Sequence, residues 1–198
     1  MKEDILEQLV DDYLQVKGFF TRHNEKFKPA NTHLEFSKRD DSVHSDVDVI
    51  GFNPRLKGVE QVWVVSCKSW QLGFNPRAKI SAIENDKWEG GREAWRGFRE
   101  LTKPKWGDAL VARVEELTGS PQFTYVTAVT KLIGEKTCWQ EHAPFQVNLH
   151  GNPIKILTLG EIMSELYKDT RQTTAPSEVG RLLQVIRASG WKPEPSSK

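Results

Sequence analysis

Two short stretches carry side chains able to do phosphate chemistry. In Ser45-Asp46-Val47-Asp48-Val49-Ile50 the acids alternate with valines, so a strand here would set Asp46 and Asp48 on one face, about 7 Å apart at strand rise. In Val64-Val65-Ser66-Cys67-Lys68-Ser69-Trp70 the same alternation groups Ser66 with Lys68 and turns Cys67 the other way. If the two strands pair, Asp48 and Lys68 converge at one end of a sheet. A carboxylate there can hold a hard cation such as Mg²⁺, which takes oxygen ligands and keeps several waters. An ammonium beside it can orient or deprotonate a water, or stabilise charge developing on a phosphate. By spacing alone, Asp-x-Asp and Ser-x-Lys equally describe charged strand ends facing solvent.

The elements needed to position these residues are legible. Ile5, Leu6, Leu9, Val10, Tyr13 and Leu14 recur at helical spacing, and Gly18 stops that helix. His33-Leu34-Glu35-Phe36 reads as a short alternating strand. Ser45–Phe52 is a strand with an acidic face, closed by Asn53-Pro54 and a Gly58 turn. Gln61–Ser69 is β-branched and apolar, a buried central strand. From Ile80 to Leu117 the period is helical, broken near Gly90-Gly91 and at Pro104. Phe123–Val129 reads as a strand, and Gln146–Leu157 as a strand or hairpin turning at Gly151-Asn152-Pro153. Gly160–Tyr167 and Glu178–Ala188 read as helices, and residues 191–198 as a disordered tail. One α/β domain over residues 1–190 is the economical organisation, with no internal repeat.

Composition bounds the function. The chain has 198 residues, 37% hydrophobic and 28% charged, as in an ordinary globular protein. It has no apolar run near the roughly 20 residues that span a bilayer, and Met1-Lys2-Glu3-Asp4 does not read as a signal peptide. Two cysteines, one inside a buried strand, favour a reducing cytoplasm. The formal net charge is +1, so any nucleic-acid surface must come from local clustering. No dinucleotide fingerprint, phosphate loop or Gly-x-Ser-x-Gly elbow occurs, which leaves nucleotide cofactors and serine-hydrolase chemistry without a motif. His23, His33, His44, His142 and His150 are scattered singly, without zinc-ligand spacing; only His44, four residues before Asp48, is near the acidic strand.

The order helix, strand, Asp-bearing strand, Lys-bearing strand, helix, strand resembles the core of the PD-(D/E)XK nuclease superfamily. Asp48-Val49-Ile50 followed by Val65-Ser66-Cys67-Lys68-Ser69-Trp70 is most similar to Mrr-type restriction endonucleases, in which an aspartate-led strand precedes a Gln-Cys-Lys strand. Glu7, one helix span before Gly18-Phe19-Phe20, is placed like the helical glutamate of the archaeal Holliday-junction resolvases. Ile154-Lys155-Ile156-Leu157-Thr158-Leu159-Gly160 resembles the Mrr-type ending, so the likeness spans roughly residues 3 to 168. It implies an α/β restriction-endonuclease-like αβββαβ core, a mixed central sheet flanked by helices. It also implies a Mg²⁺- or Mn²⁺-dependent endodeoxyribonuclease, in restriction or phage defence, with DNA as partner and a homodimer as one way to cut both strands. Asp48 would be the central metal ligand and Lys68 the catalytic lysine. The Cys67 carbonyl and Glu7 would be further metal ligands, with Asp46 auxiliary.

The family's Glu or Gln falls at Ser66, a short neutral hydroxyl that cannot supply the missing charge. Glu84 and Asp86 are candidate replacements. The other consequence is a weakened or inactive nuclease fold that binds nucleic acid or a partner protein. Arg92, Arg96, Arg99 and Lys103 recur at helical spacing, a basic stripe able to neutralise phosphates, with Lys87, Trp88, Trp95, Lys105 and Trp106 around it. An ordinary solvated helix face has the same pattern.

Overall fold

The computed structural model describes residues 4–169 and 177–191. It opens with helix α1 (Ile5–Val16), whose N-terminus is capped by the Asp4 carboxylate accepting from the Leu6 N–H at 2.9 Å. Strand β1 (Phe20–Phe27), a one-turn helix α2 (Lys38–Asp41), β2 (Ser45–Phe52) and β3 (Val62–Lys68) follow. Then come α3 (Pro76–Glu84), a small hairpin of β4 (Trp88–Glu89) and β5 (Arg92–Glu93), the short α4 (Arg99–Thr102) and α5 (Pro104–Thr118). Strand β6 (Thr124–Val129), α6 (Thr137–Gln140), α7 (Ala143–Asn148), β7 (Ile154–Thr158), α8 (Leu159–Asp169) and α9 (Glu178–Ala188) complete the order.

The main sheet runs β1-β2-β3-β6-β7, antiparallel from β1 to β3 and parallel from β3 to β7. It is a mixed five-stranded sheet of the α/β class, covered on both faces. On one face the apolar stripe of α1 (Leu6, Leu9, Val10, Leu14) packs with Ile162 and Leu166 of α8 and Leu183 of α9 over Val49, Val65, Val126 and Ala128. The other face is larger and aromatic. Phe98, Leu101, Trp106, Leu110, Trp139 and Phe145, from the α4–α7 side, cover Ile50, Val62, Val64, Tyr125 and Ile156. Gly107 lets α5 approach α7, because a Cβ there would lie 2.0 Å from the Asn148 carbonyl oxygen.

Several sequence expectations change. The first strand is Phe20–Phe27, an edge strand rich in charge, and not His33–Phe36, which is a turn with the Phe36 N–H donating to the His33 carbonyl. The helical reading from Ile80 to Leu117 dissolves into α3, a hairpin, one turn of 3₁₀ helix over Ala94–Gly97, α4 and α5. Gln146–Leu157 is no hairpin: α7 ends at Asn148 and a turn leads into β7. Both cysteines are free thiols, and among the described residues no helix is long and apolar enough to cross a membrane. The tail lies outside the described residues except Trp191, whose carbonyl accepts from the Tyr167 hydroxyl at 2.6 Å.

Candidate functional site

The strands β2 and β3 pair only from Phe52–Val62 to Val49–Val65, whereas β3 stays paired with β6 through Lys68 and Val129. Ser66, Cys67 and Lys68 therefore have a strand on one side and an open fork on the other. Asp48 occupies that fork. The pleat breaks at this residue: Val47 packs in the aromatic core and Val49 in the α1 core, although positions two apart on a regular strand face the same way. Opposite, Asn24 has φ +54°, and Asn24–Asp48 is the step absent from the β1–β2 register. The carboxylate turns sideways along the sheet, and its Oδ2 accepts the Cys67 N–H at 2.5 Å, where a neighbouring strand would otherwise pair.

Burial raises the Asp48 pKa above the usual carboxylate value. The positive charge of Lys68 and the Cys67 N–H pull it back, while Asp46 and Glu100 push it further up. Lys68 stands at the end of β3 with its ammonium 5.2 Å from the centre of the Phe98 ring, and it makes no ion pair within 4 Å among the described residues. Asp48 and Lys68 thus lie on adjacent strands at one end of the sheet, as their spacing suggested. Asp46 is exposed and contributes only its charge.

Ser66 is 6% exposed, and its hydroxyl moderates the Tyr125 pKa, which burial and then Glu100 raise well above the usual phenol value. Tyr125, fully enclosed on β6, donates to Glu100 Oε1. Glu100 is 7% exposed and makes no ion pair among the described residues. A carboxylate so buried with only a hydroxyl partner is costly unless something further compensates it. Its charge bears on Asp48 across the fork. Sequence reading missed Glu100, since nothing in Phe98-Arg99-Glu100-Leu101 distinguishes it from the other acids of a helical segment. The replacements expected from sequence are elsewhere. Glu84 is exposed, 3.9 Å from His142, and Asp86 sits exposed in a left-handed turn. His44 is exposed.

On the opposite face, burial first, then the charges of Asp48 and Glu7, raise the Cys67 thiol far above its ordinary pKa, so it stays protonated. Glu7 of α1, a metal-ligand candidate from the resemblance, thus acts on the Cys67 side chain, on the face opposite Glu100. Asp4 joins it there, accepting a hydrogen bond from the Ser69 hydroxyl that ties the start of α1 to the residue after Lys68.

The basic stripe is not a helix face. Arg92 lies on β5, Arg96 in the 3₁₀ turn, Arg99 on α4 and Lys103 after it. Arg96 is bound by Glu93 at 2.5 Å and Asp40 at 2.9 Å. Arg99 stacks on Trp106, and Lys103 lies over Trp95. Burial lowers the Arg99 pKa, helped by Arg96 and Arg92, so the arginines do remain neighbours. Trp106 is core, and Lys105 is taken by Asp41. Arg92 alone of the four is exposed without an ion pair among the described residues.

Among the described residues no three His, Cys, Asp or Glu side chains stand close enough to hold a metal by themselves. Mg²⁺, however, is commonly bound through one or two carboxylates, waters and a substrate phosphate, and Asp48 with Glu100 and neutral oxygens is a donor set of that kind. Comparisons of the chain with protein-family models, with curated proteins and with solved structures return no match.

Proposed function

We propose that the chain is a PD-(D/E)XK-type, Mg²⁺- or Mn²⁺-dependent endodeoxyribonuclease with a restriction-endonuclease-like core. The observation that carries this reading is the fork itself. A desolvated carboxylate and an ammonium without an ion pair among the described residues stand where two strands part, with a second, buried carboxylate on α4 whose charge acts on the first. The element order α1, β1, β2, β3, α3, β6 supports it. Asp48 and Glu100 would hold the cation, with the Cys67 carbonyl as a neutral ligand. That carbonyl shares a strand edge with the Cys67 N–H, because in an extended strand the N–H and C=O of one residue point to the same side.

Such a cation supplies Lewis-acid stabilisation of the phosphate and a more acidic water. The chain's own residues do the rest. Lys68 places a positive charge beside the phosphate oxygen on which charge develops. Tyr125, kept protonated by burial, holds the Glu100 carboxylate in one orientation. Glu100 then supplies from α4 the charge that Ser66 does not supply from β3.

The reading is tested by Mn²⁺ titration and plasmid nicking with wild type, Asp48→Ala, Lys68→Ala and Glu100→Gln. Metal binding that weakens with Asp48→Ala and Glu100→Gln, and nicking lost with all three, supports it. Absence of both binding and nicking in the wild type leaves the second reading, a nuclease fold that binds nucleic acid or a partner protein without cutting; Ser66 at the acid's position is the observation behind that one.

A further inference from the structure

Beside the fork, on the same face as Lys68, lies a cleft of about 650 Å³ between the segment that follows β3 and the β4–β5 hairpin. Trp70, Phe98 and Leu72 form its apolar wall, and Lys79 and Arg92 bring cations to it. It adjoins the site directly: Phe98 is the ring beneath the Lys68 ammonium, and Trp70 is two residues beyond Lys68. Its acids are answered. Glu89 pairs with Lys79 and Glu93 with Arg96, which leaves Arg92 as surplus positive charge. Leu72 is 90% exposed at the rim.

The hairpin itself stands clear of the body. Gly90 and Gly91 turn it with φ +58° and +80°, and a Cβ at either would meet nothing within 4 Å. Trp88, on the strand that leads to the tip, is 69% exposed.

We propose, resting on the nuclease reading above, that this cleft receives an unpaired nucleotide of the DNA strand next to the phosphate being cut, and that the hairpin parts that nucleotide from its complement. The chemistry of the walls fits this occupant. The partly exposed Trp70, which carries Lys79 over its ring, and the exposed Leu72 face a base above the buried Phe98, and Arg92 takes its phosphate. The size excludes an intact duplex. A cleft of this volume is of the scale of a small-molecule site, so a base enters it only when out of the helical stack. The preferred substrate class is therefore DNA with a single-stranded tail, gap or mismatch, ahead of uninterrupted duplex.

The test reads binding apart from cleavage. Asp48→Ala protein in EDTA is titrated into fluorescein-labelled 20-mers: single-stranded DNA, blunt duplex DNA, the same duplex with a five-nucleotide tail, and the tailed duplex as RNA. Tailed DNA should bind about tenfold tighter than blunt duplex. Arg92→Ala and Leu72→Asp, both at exposed positions, should each remove most of that preference, weakening the binding of tailed DNA several-fold more than that of blunt duplex. Equal affinity for tailed and blunt DNA, or a preference that survives both substitutions, overturns the proposal, as does failure to bind any of the four. Tighter binding of the RNA overturns its assignment to DNA. If tail preference holds but the wild type cuts nothing in Mn²⁺, the nuclease reading falls and the cleft assignment stands.

Discussion

Asp41 and Asp48 are both carboxylates withdrawn from water, and their surroundings differ in every respect that bears on role. Asp41 is fully buried, and each of its oxygens is supplied. Oδ2 accepts from Lys105 at 2.7 Å and from the Ser37 N–H at 2.7 Å, and Oδ1 accepts from the Trp106 indole at 3.0 Å. Burial alone would raise its pKa, but these donors together overcome that and hold it below the usual carboxylate value. Asp48 has one N–H donor, a cation that does not close on it, and a buried acid nearby; its pKa is raised. The first arrangement is complete and binds the Ser37 loop to α5. The second is short of positive charge, and Glu100 shares the shortage. Such a deficit is the feature on which the proposed cation site rests.

The largest effects should divide the two regions cleanly. Asp48→Ala and Lys68→Ala should each lower plasmid nicking by about 10³-fold or more, with melting temperature unchanged or raised in Asp48→Ala and lowered in Lys68→Ala, which removes the charge that stabilises Asp48. Nicking that survives either substitution removes that residue from the site. Asp41→Ala should do the converse, costing about 3–5 kcal/mol in chemical denaturation because it leaves Lys105 and the Trp106 N–H without their acceptor. A loss under 1 kcal/mol would mean that the Asp41 knot is not structural.

Glu100→Gln keeps an acceptor for Tyr125 and removes only charge. It should weaken Mn²⁺ binding by about tenfold and nicking by about 10²-fold, with little change in unfolding. Unchanged Mn²⁺ affinity would return Glu100 to the core as a structural acid.

The smallest effects lie in pH dependence, with opposite signs. The depressed pKa of Asp41 gives stability that is present above the ordinary carboxylate value near 3.8 and is lost as pH falls through its lower folded value. Wild type and Asp41→Asn should therefore differ at pH 7 and converge in strong acid. The raised pKa of Asp48 is a cost that appears as pH rises from 3.8 through its folded value. Asp48→Asn, which retains an acceptor for the Cys67 N–H, should gain on the order of 1 kcal/mol at pH 7, roughly 2–4 °C in melting temperature. The gain should shrink in acid; a constant gain would place its origin elsewhere.

Much of this fold could be read from local pattern. The stripe Leu6, Leu9, Val10, Tyr13, Leu14 marked α1, and the run Val62–Val65 marked the central strand, because a single buried face imposes its own period. Strand β1 escaped that logic. As an edge strand its apolar residues cluster at its ends, and its middle, Arg22-His23-Asn24-Glu25, is polar. Glu25 is buried there between Arg113 of α5, at 2.8 Å, and Arg22 of its own strand, at 2.7 Å. The basic stripe failed for the complementary reason. Helical spacing persisted through Gly90-Gly91, but the chain turned into a hairpin, and Arg96 found Glu93 and Asp40.

By itself the sequence marked an acidic strand, a lysine strand whose pairing with it would bring Asp48 and Lys68 together, and an apolar helical stripe before them, while the charge expected where Ser66 stands came from a resemblance alone. Only the tertiary structure decided which acid stands near that gap and which is silenced. Glu100 meets Tyr125 across 25 residues, and Asp41 meets Trp106 across 65. The role of a carboxylate depends on desolvation and on the donors that surround it. Those are set by packing between distant segments, to which the local order of residues gives no clue.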